Sequence, residues 1–461
     1  MATSLTLRTR RSLVKVSTGS EFMKDDFFMA YDIRGREITT HDAFLIGRAL
    51  GSELEGDCFI GRDCREKSPL LSQHLIEGLR SSGIRVTNGG EMPNPAAYFN
   101  TFKKYDFGVY ITASHLPANY SGFKIIMRDG SSIDPEILKK IKQRFIDYDF
   151  NKVDSEPVKQ DITALNDYAR FLEQEFGKLG TPCVIDCLNA SGGYVTDTIF
   201  KQLLNAKVIR GKPLPDFNGV HPEPTEKNLK QLQEEVKNSS AYFGVGLDGD
   251  GDRSVFVDEK GEFIDGNKMT MLFAKNILEQ KKGVIVAPVS VSKLLETKVV
   301  KPLGGKMVWC PVGHTFIEKE LVKHKGLFGG EYSSHFYFNE FYPFSDGVMS
   351  TLMLARILKE SGKKLSQLVA ELPKVFVVKE EVEFDTHEQK QKAATLLVRN
   401  FLIQHPQALT MDGIKFMKDD ACILLRPSQT CHTVKAFVEA EDKELAENVL
   451  ADYVKIIESY K

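Results

Sequence analysis

The sequence predicts an α/β protein built from three successive strand–helix units, followed by a smaller α+β unit at its C-terminal end. Three observations carry that expectation. Short apolar runs alternate with segments of helical spacing, as in largely parallel sheets. The alternation restarts twice along the chain, in pattern rather than as a sequence repeat. From residue 375 onward, paired strand patterns surround two helical ones.

The elements follow in order. Asp57-Cys58-Phe59-Ile60-Gly61 reads as a strand and turn. Leu70 to Ser82 places Leu71, Leu75, Ile76 and Leu79 on one helical face, and Gly83 supplies the C′ glycine that ends it. Ile84 to Thr87 and Phe107 to Thr112 are further strands. Ile133 to Arg144 reads as a helix with Asp134 as N-cap and Pro135 in the first turn. The second unit opens with the strand Pro182 to Leu188, then a helix after Gly192-Gly193. Its strand Tyr242 to Leu247 runs into an Asp/Gly loop, with Ser254 to Asp258 beyond it. The third has the strand Gly283 to Ala287, a helix from Val291, and a helix within Phe344 to Lys359. In the last unit Val375 to Val378 leads into Glu380 to Phe384, where apolar and acidic residues alternate. There follow a helix near Gln389 to Gln404, the strands Ala421 to Arg426 and Val434 to Ala440, and a helix from Lys443 to Ser459.

Composition excludes several classes. Hydrophobic residues at 42% and charged residues at 27% are ordinary for globular chains, so a disordered chain, a collagen and a coiled coil are ruled out. Lys+Arg 61 against Asp+Glu 63 leaves a net charge of −2, without the global basic field of a nucleic-acid binder. No apolar run approaches the ~18–20 residues of a membrane span. The seven cysteines form no C-x-x-C pair, and we expect reduced, buried thiols in a cytoplasmic protein. Residues 1–22 are rich in Arg, Ser and Thr and nearly free of acid. They fit an organelle transit peptide or an appended leader. Gly19-Ser20-Glu21-Phe22 before Met23 favours the leader, outside the fold.

Five loops carry chemistry. In Leu247-Asp248-Gly249-Asp250-Gly251-Asp252-Arg253, three carboxylates lie two residues apart with glycines between. Glycine lets the backbone curl so that all three converge. Convergence of like charge is costly unless a cation neutralises it, and a hard divalent ion, Mg²⁺, suits oxygen ligands. An EF-hand would align Glu259 at position 12. It fails because position 6 is Arg253 and the flanks read as strands. In Thr112-Ala113-Ser114-His115-Leu116-Pro117, a serine at a strand end next to His115 can act as a nucleophile, with Lys124 as general base or phosphate clamp. A turn-forming serine is the plainer alternative. Gly329-Gly330-Glu331-Tyr332-Ser333-Ser334-His335 offers donors and acceptors suited to sugar hydroxyls, or is a polar turn. Arg426-Pro427-Ser428-Gln429-Thr430 can hold a phosphate dianion, or is a surface turn. Near the start, Tyr31-Asp32-Ile33-Arg34-Gly35 sets Arg34 beside a glycine, where it can reach a phosphate or form a salt bridge.

Together, in this order and spacing, the five loops resemble the α-D-phosphohexomutase family (phosphomannomutase/phosphoglucomutase) from Met23 to the end. The resemblance implies three related mixed α/β domains (23–165, 166–266, 267–374) and a smaller C-terminal α+β domain (375–461) around a central cleft. It implies that Ser114 carries the phosphoryl group. Asp248, Asp250 and Asp252 match the Mg²⁺ ligands, with the phosphorylated Ser114 as a further ligand, and Arg253 closes that loop. Glu331 and Ser333 match residues that hold the sugar 3- and 4-hydroxyls, with His335 closing their loop. Gly313 and His314 match a sugar-orienting loop. Arg426, Ser428, Gln429 and Thr430 match the phosphate loop, and Tyr31, Arg34, His115 and Lys124 match cleft residues near the reacting phosphoryl group.

The implied reaction interconverts hexose 1-phosphate and hexose 6-phosphate, of mannose or glucose. It runs through a hexose 1,6-bisphosphate, which also serves as activator. A phosphoglucosamine mutase and a non-catalytic sugar-phosphate sensor are the alternatives, and a metal-dependent phosphatase is a third. The implied partner is a small phosphosugar, with no nucleic acid or membrane, for a monomer or homodimer.

Overall fold

The computed structural model describes residues 27–153, 157–428 and 432–461. The proposed leader and the residues Gln429 and Thr430 lie outside them. Three α/β units and a fourth unit follow one another along the chain.

The first unit carries a six-stranded sheet in the order Ile33–Gly35, Ser121–Met127, Phe107–Ile111, Asp57–Arg62, Arg85–Glu91, Lys159–Gln160. The last four strands run parallel, whereas Ser121–Met127 lies antiparallel between Phe107–Ile111 and Ile33–Gly35. The second sheet repeats this plan. Pro182–Asp186 is parallel to Asn205–Ile209 and Phe243–Leu247, and Ser254–Asp258 turns back antiparallel. In the third, Val284–Pro288 is parallel to Lys306–Cys310 and Phe328–Gly330, with Phe336–Phe338 antiparallel at the edge. Sheets expected to be largely parallel are therefore mixed. A tight return after a parallel strand needs only a short loop, and those short returns are where the chemistry-bearing loops lie.

The predicted strands and long helices form with shifts of a few residues at their ends. Asp134 caps the helix Pro135–Asp147 by accepting from Glu136 N at 2.8 Å. Four expectations need correction. The helix from Val291 is one π-type turn, Leu295–Val300, and the helix after Gly192-Gly193 is a chain of short irregular turns from Ser191 to Leu203. Gly83 (φ +91°) stands two residues past the C-cap Ser81, not at C′. Val375 to Val378 and Glu380 to Phe384 join into one strand, Phe376–Glu383.

The fourth unit is a four-stranded antiparallel sheet under the helices His387–Gln404 and Lys443–Glu458, with a core of its own. It is anchored to the third unit by Lys415. The buried Lys415 ammonium donates to the carbonyls of Val289 (2.9 Å) and Val291 (2.5 Å) and lies over the Trp309 ring. The six described cysteines are buried and unpaired. No helix among the described residues is long and apolar enough to cross a membrane.

Candidate active site

The serine loop begins where Phe107–Ile111 ends. Ser114 is buried and adopts a left-handed backbone (φ +51°), its N–H donating to Thr112 Oγ1 at 2.8 Å. That turn aims the hydroxyl at the second unit, where Ser114 Oγ donates to Asp248 Oδ2 at 3.2 Å. The Asp/Gly loop connects Phe243–Leu247 to Ser254–Asp258. It packs so tightly on the serine loop that a Cβ on Gly249 would sit 2.2 Å from the Ser114 carbonyl oxygen. Gly251 (φ +81°) supplies the left-handed turn that brings Asp252 back beside its neighbours.

Asp248, Asp250 and Asp252 are all buried, with ligand oxygens within 4.8 Å of one another. The Lys124 ammonium lies between two of them, 2.7 Å from Asp250 Oδ2 and 2.6 Å from Asp252 Oδ2. Asn94 Nδ2 donates to Asp252 Oδ2 at 3.1 Å. Burial works against the Lys124 charge, but Asp250 and Asp252 outweigh it and raise its pKa. Burial, with Asp252 and Asp250 close by, pushes the Asp248 carboxyl up. At Asp252 the opposing effect of burial is overcome by Lys124 and His335, and its pKa falls. Asp250 Oδ1 is buried without a hydrogen-bond partner among the described residues. Three buried carboxylates, one with an orphaned oxygen, make an oxygen ligand set suited to a divalent cation, and the Lys124 ammonium offsets part of their charge.

Arg253 closes the loop. Its Nη2 lies 3.0 Å from His115 Nδ1, its Nε 3.2 Å from His335 Nε2 and 3.7 Å from Asp248 Oδ2. The Arg253 charge, then burial and Arg34, push the His115 pKa down to about 2, so the ring is neutral and serves as an acceptor. The Glu331–His335 loop reaches this cluster from the third unit. His335 Nε2 is 3.4 Å from Asp252 Oδ1, and Ser333 Oγ is 3.1 Å from both Glu331 Oε2 and His335 Nδ1. Tyr337 OH, buried, fixes Glu331 from behind at 2.7 Å.

Ser114, His115, Lys124, the three aspartates, Arg253, Glu331, Ser333 and His335 thus form one network. Arg34 lies at its margin, ion-paired with Asp32 at 2.5 Å. Burial disfavours its charge, but Asp32, with Asp250 and Asp252, outweighs burial and raises the pKa. Tyr31 packs edge-on against His314 (6.3 Å) and Phe316 (5.5 Å), beside Gly313 at the start of the helix His314–His324. Arg426 and Ser428 stand apart in the fourth unit. Arg426 pairs with Asp412 at 2.7 Å rather than with the serine or metal loops, and its Nε is buried without a partner among the described residues. The Ser428 carbonyl accepts from the buried Lys390 ammonium at 2.8 Å.

Sequence reading missed Asn94 and Arg65, which touch these loops from distant segments, and Tyr337, which holds its own loop from the strand that follows it. The Asn94-Pro95 pair opening the helix Asn94–Thr101 was a usable signal for the first. No local pattern marks the other two.

Comparison with known proteins gives the family. Profiles described as phosphoglucomutase/phosphomannomutase alpha/beta/alpha domains I, II and III match residues 25–152, 166–261 and 265–376. A phosphoglucomutase/phosphomannomutase of Thermococcus kodakarensis is 34% identical over 94% of this chain and 98% of its own. The chain belongs to the phosphoglucomutase/phosphomannomutase family of α-D-phosphohexomutases. A probable phosphoglucosamine mutase of Methanopyrus kandleri is 33% identical, covering 94% of this chain and 97% of its own. Among solved structures, a phosphoglucomutase/phosphomannomutase family protein of Burkholderia thailandensis superposes with a TM-score of 0.85 at 26% identity, over 95% of this chain and 98% of that one.

Proposed function

We propose that this phosphohexomutase interconverts the 1- and 6-phosphates of glucose and mannose, with Ser114 as phosphoryl carrier. The observation that carries the reading is the Ser114 hydroxyl, 3.2 Å from Asp248 inside a buried trio of carboxylates. In the proposed reaction, phospho-Ser114 passes its phosphoryl group to the free hydroxyl of the bound sugar phosphate. The serine oxygen is released and a 1,6-bisphosphate forms. That intermediate turns end for end, and Ser114 takes back the other phosphoryl group.

The residues divide this work. Asp248, Asp250 and Asp252 would hold Mg²⁺, which when bound offsets charge on the transferring oxygens. Arg253 and Arg34 add positive charge beside the serine. Lys124 is the proposed acid/base: as the phosphoryl group moves it gives a proton to the departing serine oxygen and regains the one lost by the attacking sugar hydroxyl. Glu331 and Ser333 accept from and donate to the 3- and 4-hydroxyls. Arg426 and Ser428 grip the phosphate that is not reacting, together with Gln429 and Thr430.

Contacts to the 3- and 4-hydroxyls do not sense C2, where glucose and mannose differ, so both sugars are expected substrates. Relatives named phosphoglucosamine mutases favour glucosamine phosphate as a second reading. Measuring kcat/KM for mannose 1-phosphate, glucose 1-phosphate and glucosamine 1-phosphate decides between them. The first reading expects the first two within about ten-fold of each other, about 1.4 kcal/mol, and glucosamine 1-phosphate no better than either. A glucosamine 1-phosphate value above both replaces it with the second.

A further inference from the structure

Arg65 follows the strand Asp57–Arg62 and is 1% exposed. Its guanidinium is enclosed by the serine loop. Nη2 donates to the carbonyls of Ser114 and Leu116, both at 2.7 Å, and Nη1 to those of Pro117 (2.6 Å) and Tyr120 (3.3 Å). Nε is paired with Asp63 Oδ2 at 2.9 Å, and Asp63 is itself held by Ser68 Oγ at 2.5 Å. The Arg65 charge is therefore matched by a fixed carboxylate, and its outer donors are used up on backbone oxygens. It is not a phosphate ligand. Its other face lies over the Phe217 ring of the second unit, 4.9 Å from the centroid. Cys64, Ala190 and Phe217 pack together there, and Ser191 N donates to the Gly249 carbonyl at 3.2 Å, tying that contact to the metal loop.

We propose that Arg65 is a positioning residue that sets the distance between Ser114 and the metal-loop aspartates, by holding the serine loop in its left-handed turn and pinning that turn to the second unit. This rests on Ser114 being the phosphoryl carrier. A serine at φ +51° is a disfavoured backbone state that persists only when its surroundings over-determine it. A planar fork with donors on two edges can satisfy four carbonyls of one loop, and an ammonium cannot. Loss of the fork leaves the sugar-binding loops untouched and frees the serine.

The test is Arg65→Lys in the full chain, with kcat and KM measured for glucose 1-phosphate and radiolabel transfer from glucose 1,6-bisphosphate to Ser114 followed in parallel. The expected result is a kcat at least 30-fold lower, KM within three-fold of the parent, and label reaching Ser114 correspondingly slowly. A kcat within three-fold of the parent, or a loss lying wholly in KM, overturns the proposal. If the parent enzyme itself takes no label on Ser114, the carrier reading fails, and that outcome is separate. Phe217→Leu keeps every carbonyl bond and serves where Arg65→Lys does not fold. Its kcat is expected to fall three- to ten-fold at unchanged KM, and an unchanged kcat overturns the coupling between the two units.

Discussion

Replacing Gly249 with alanine tests how closely the serine and metal loops must meet. The added methyl would lie 2.2 Å from Ser114 O, 3.1 Å from Ser114 C and 3.2 Å from Pro222 Cβ, whereas ordinary contact begins near 3.4 Å. Neither side yields easily. Gly249 N donates to Pro222 O at 2.9 Å, Gly249 O accepts from Ser191 N at 3.2 Å, and Ser114 O is held by Arg65. Relief requires the loops to separate by about 1 Å, and a misplacement of that size at a reacting centre costs about 10²-fold in rate. Overpacking of a tight site costs about 1–3 kcal/mol of stability besides. Steady-state kinetics with glucose 1-phosphate should therefore show kcat down about 100-fold with KM little changed, since the sugar loops are untouched. Thermal unfolding should show a modest fall in Tm. A Gly249→Ala enzyme with kcat within two-fold of the parent would refute the argument that this close approach sets the catalytic geometry.

Three other perturbations have distinct signatures. Lys124→Met removes the ammonium between Asp250 and Asp252 while keeping most of the volume. It should lower kcat by about 10²–10⁴, and it should make Tm depend more strongly on added Mg²⁺ as the carboxylates lose their only bridging cation among the described residues. Arg426→Ala removes the one cation of the phosphate loop among the described residues. It should raise KM for the sugar phosphate about ten-fold or more, in line with ~1.5–3 kcal/mol for a charge-assisted bond, while transfer of label to Ser114 from bisphosphate is slowed through binding alone. Glu318, buried where the third unit meets the first, accepts from Ser132 N at 2.8 Å, and burial pushes its carboxyl up to about 8 against that hydrogen bond. An unfolded Glu titrates near ~4.3, so between those values the native state holds a proton that the unfolded chain releases. Stability is full below the lower value and is lost as pH rises toward 8. Glu318→Gln lacks that step, and its Tm relative to the parent should climb between pH 5 and pH 9; a flat difference would contradict the assignment.

Much of the fold could be read from local pattern because its strands are short, apolar and bounded by glycine or polar turns. Pattern marked the parallel strands Asp57–Arg62, Arg85–Glu91, Phe107–Ile111, Pro182–Asp186, Phe243–Leu247 and Val284–Pro288 but missed Asn205–Ile209, Lys306–Cys310 and Phe328–Gly330, and it could not reveal pairing direction. The strand Ser121–Met127 shows why. Its residues are nearly all buried, so it has no alternation to announce it, and only the motif around Lys124 drew attention to it. The irregular turns at Ser191–Leu203 and Leu295–Val300 looked helical because apolar spacing records a buried face, not the hydrogen-bond pattern beneath it.

Within the site, Asp248, Asp250 and Asp252 were legible because like charges at that spacing have few other uses, and Ser114 because it follows a strand end. Arg65, Asn94 and Tyr337 were not, because they meet their loops from 49, 158 and 6 residues away through contacts made only by folding. Lys124 was picked out as a charge near the serine, but its place between two carboxylates depends on the docking of the first unit on the second.

The most direct test incubates the purified protein with glucose 1,6-bisphosphate labelled in phosphorus and Mg²⁺, then digests it and locates the label by peptide mass spectrometry. Stoichiometric, acid-stable label on Ser114, passed on to added glucose 1-phosphate and absent from Ser114→Ala, is the result expected. Isomer formation at the parent rate by Ser114→Ala, or label settling on another residue, would contradict the assignment of Ser114 as the phosphoryl carrier.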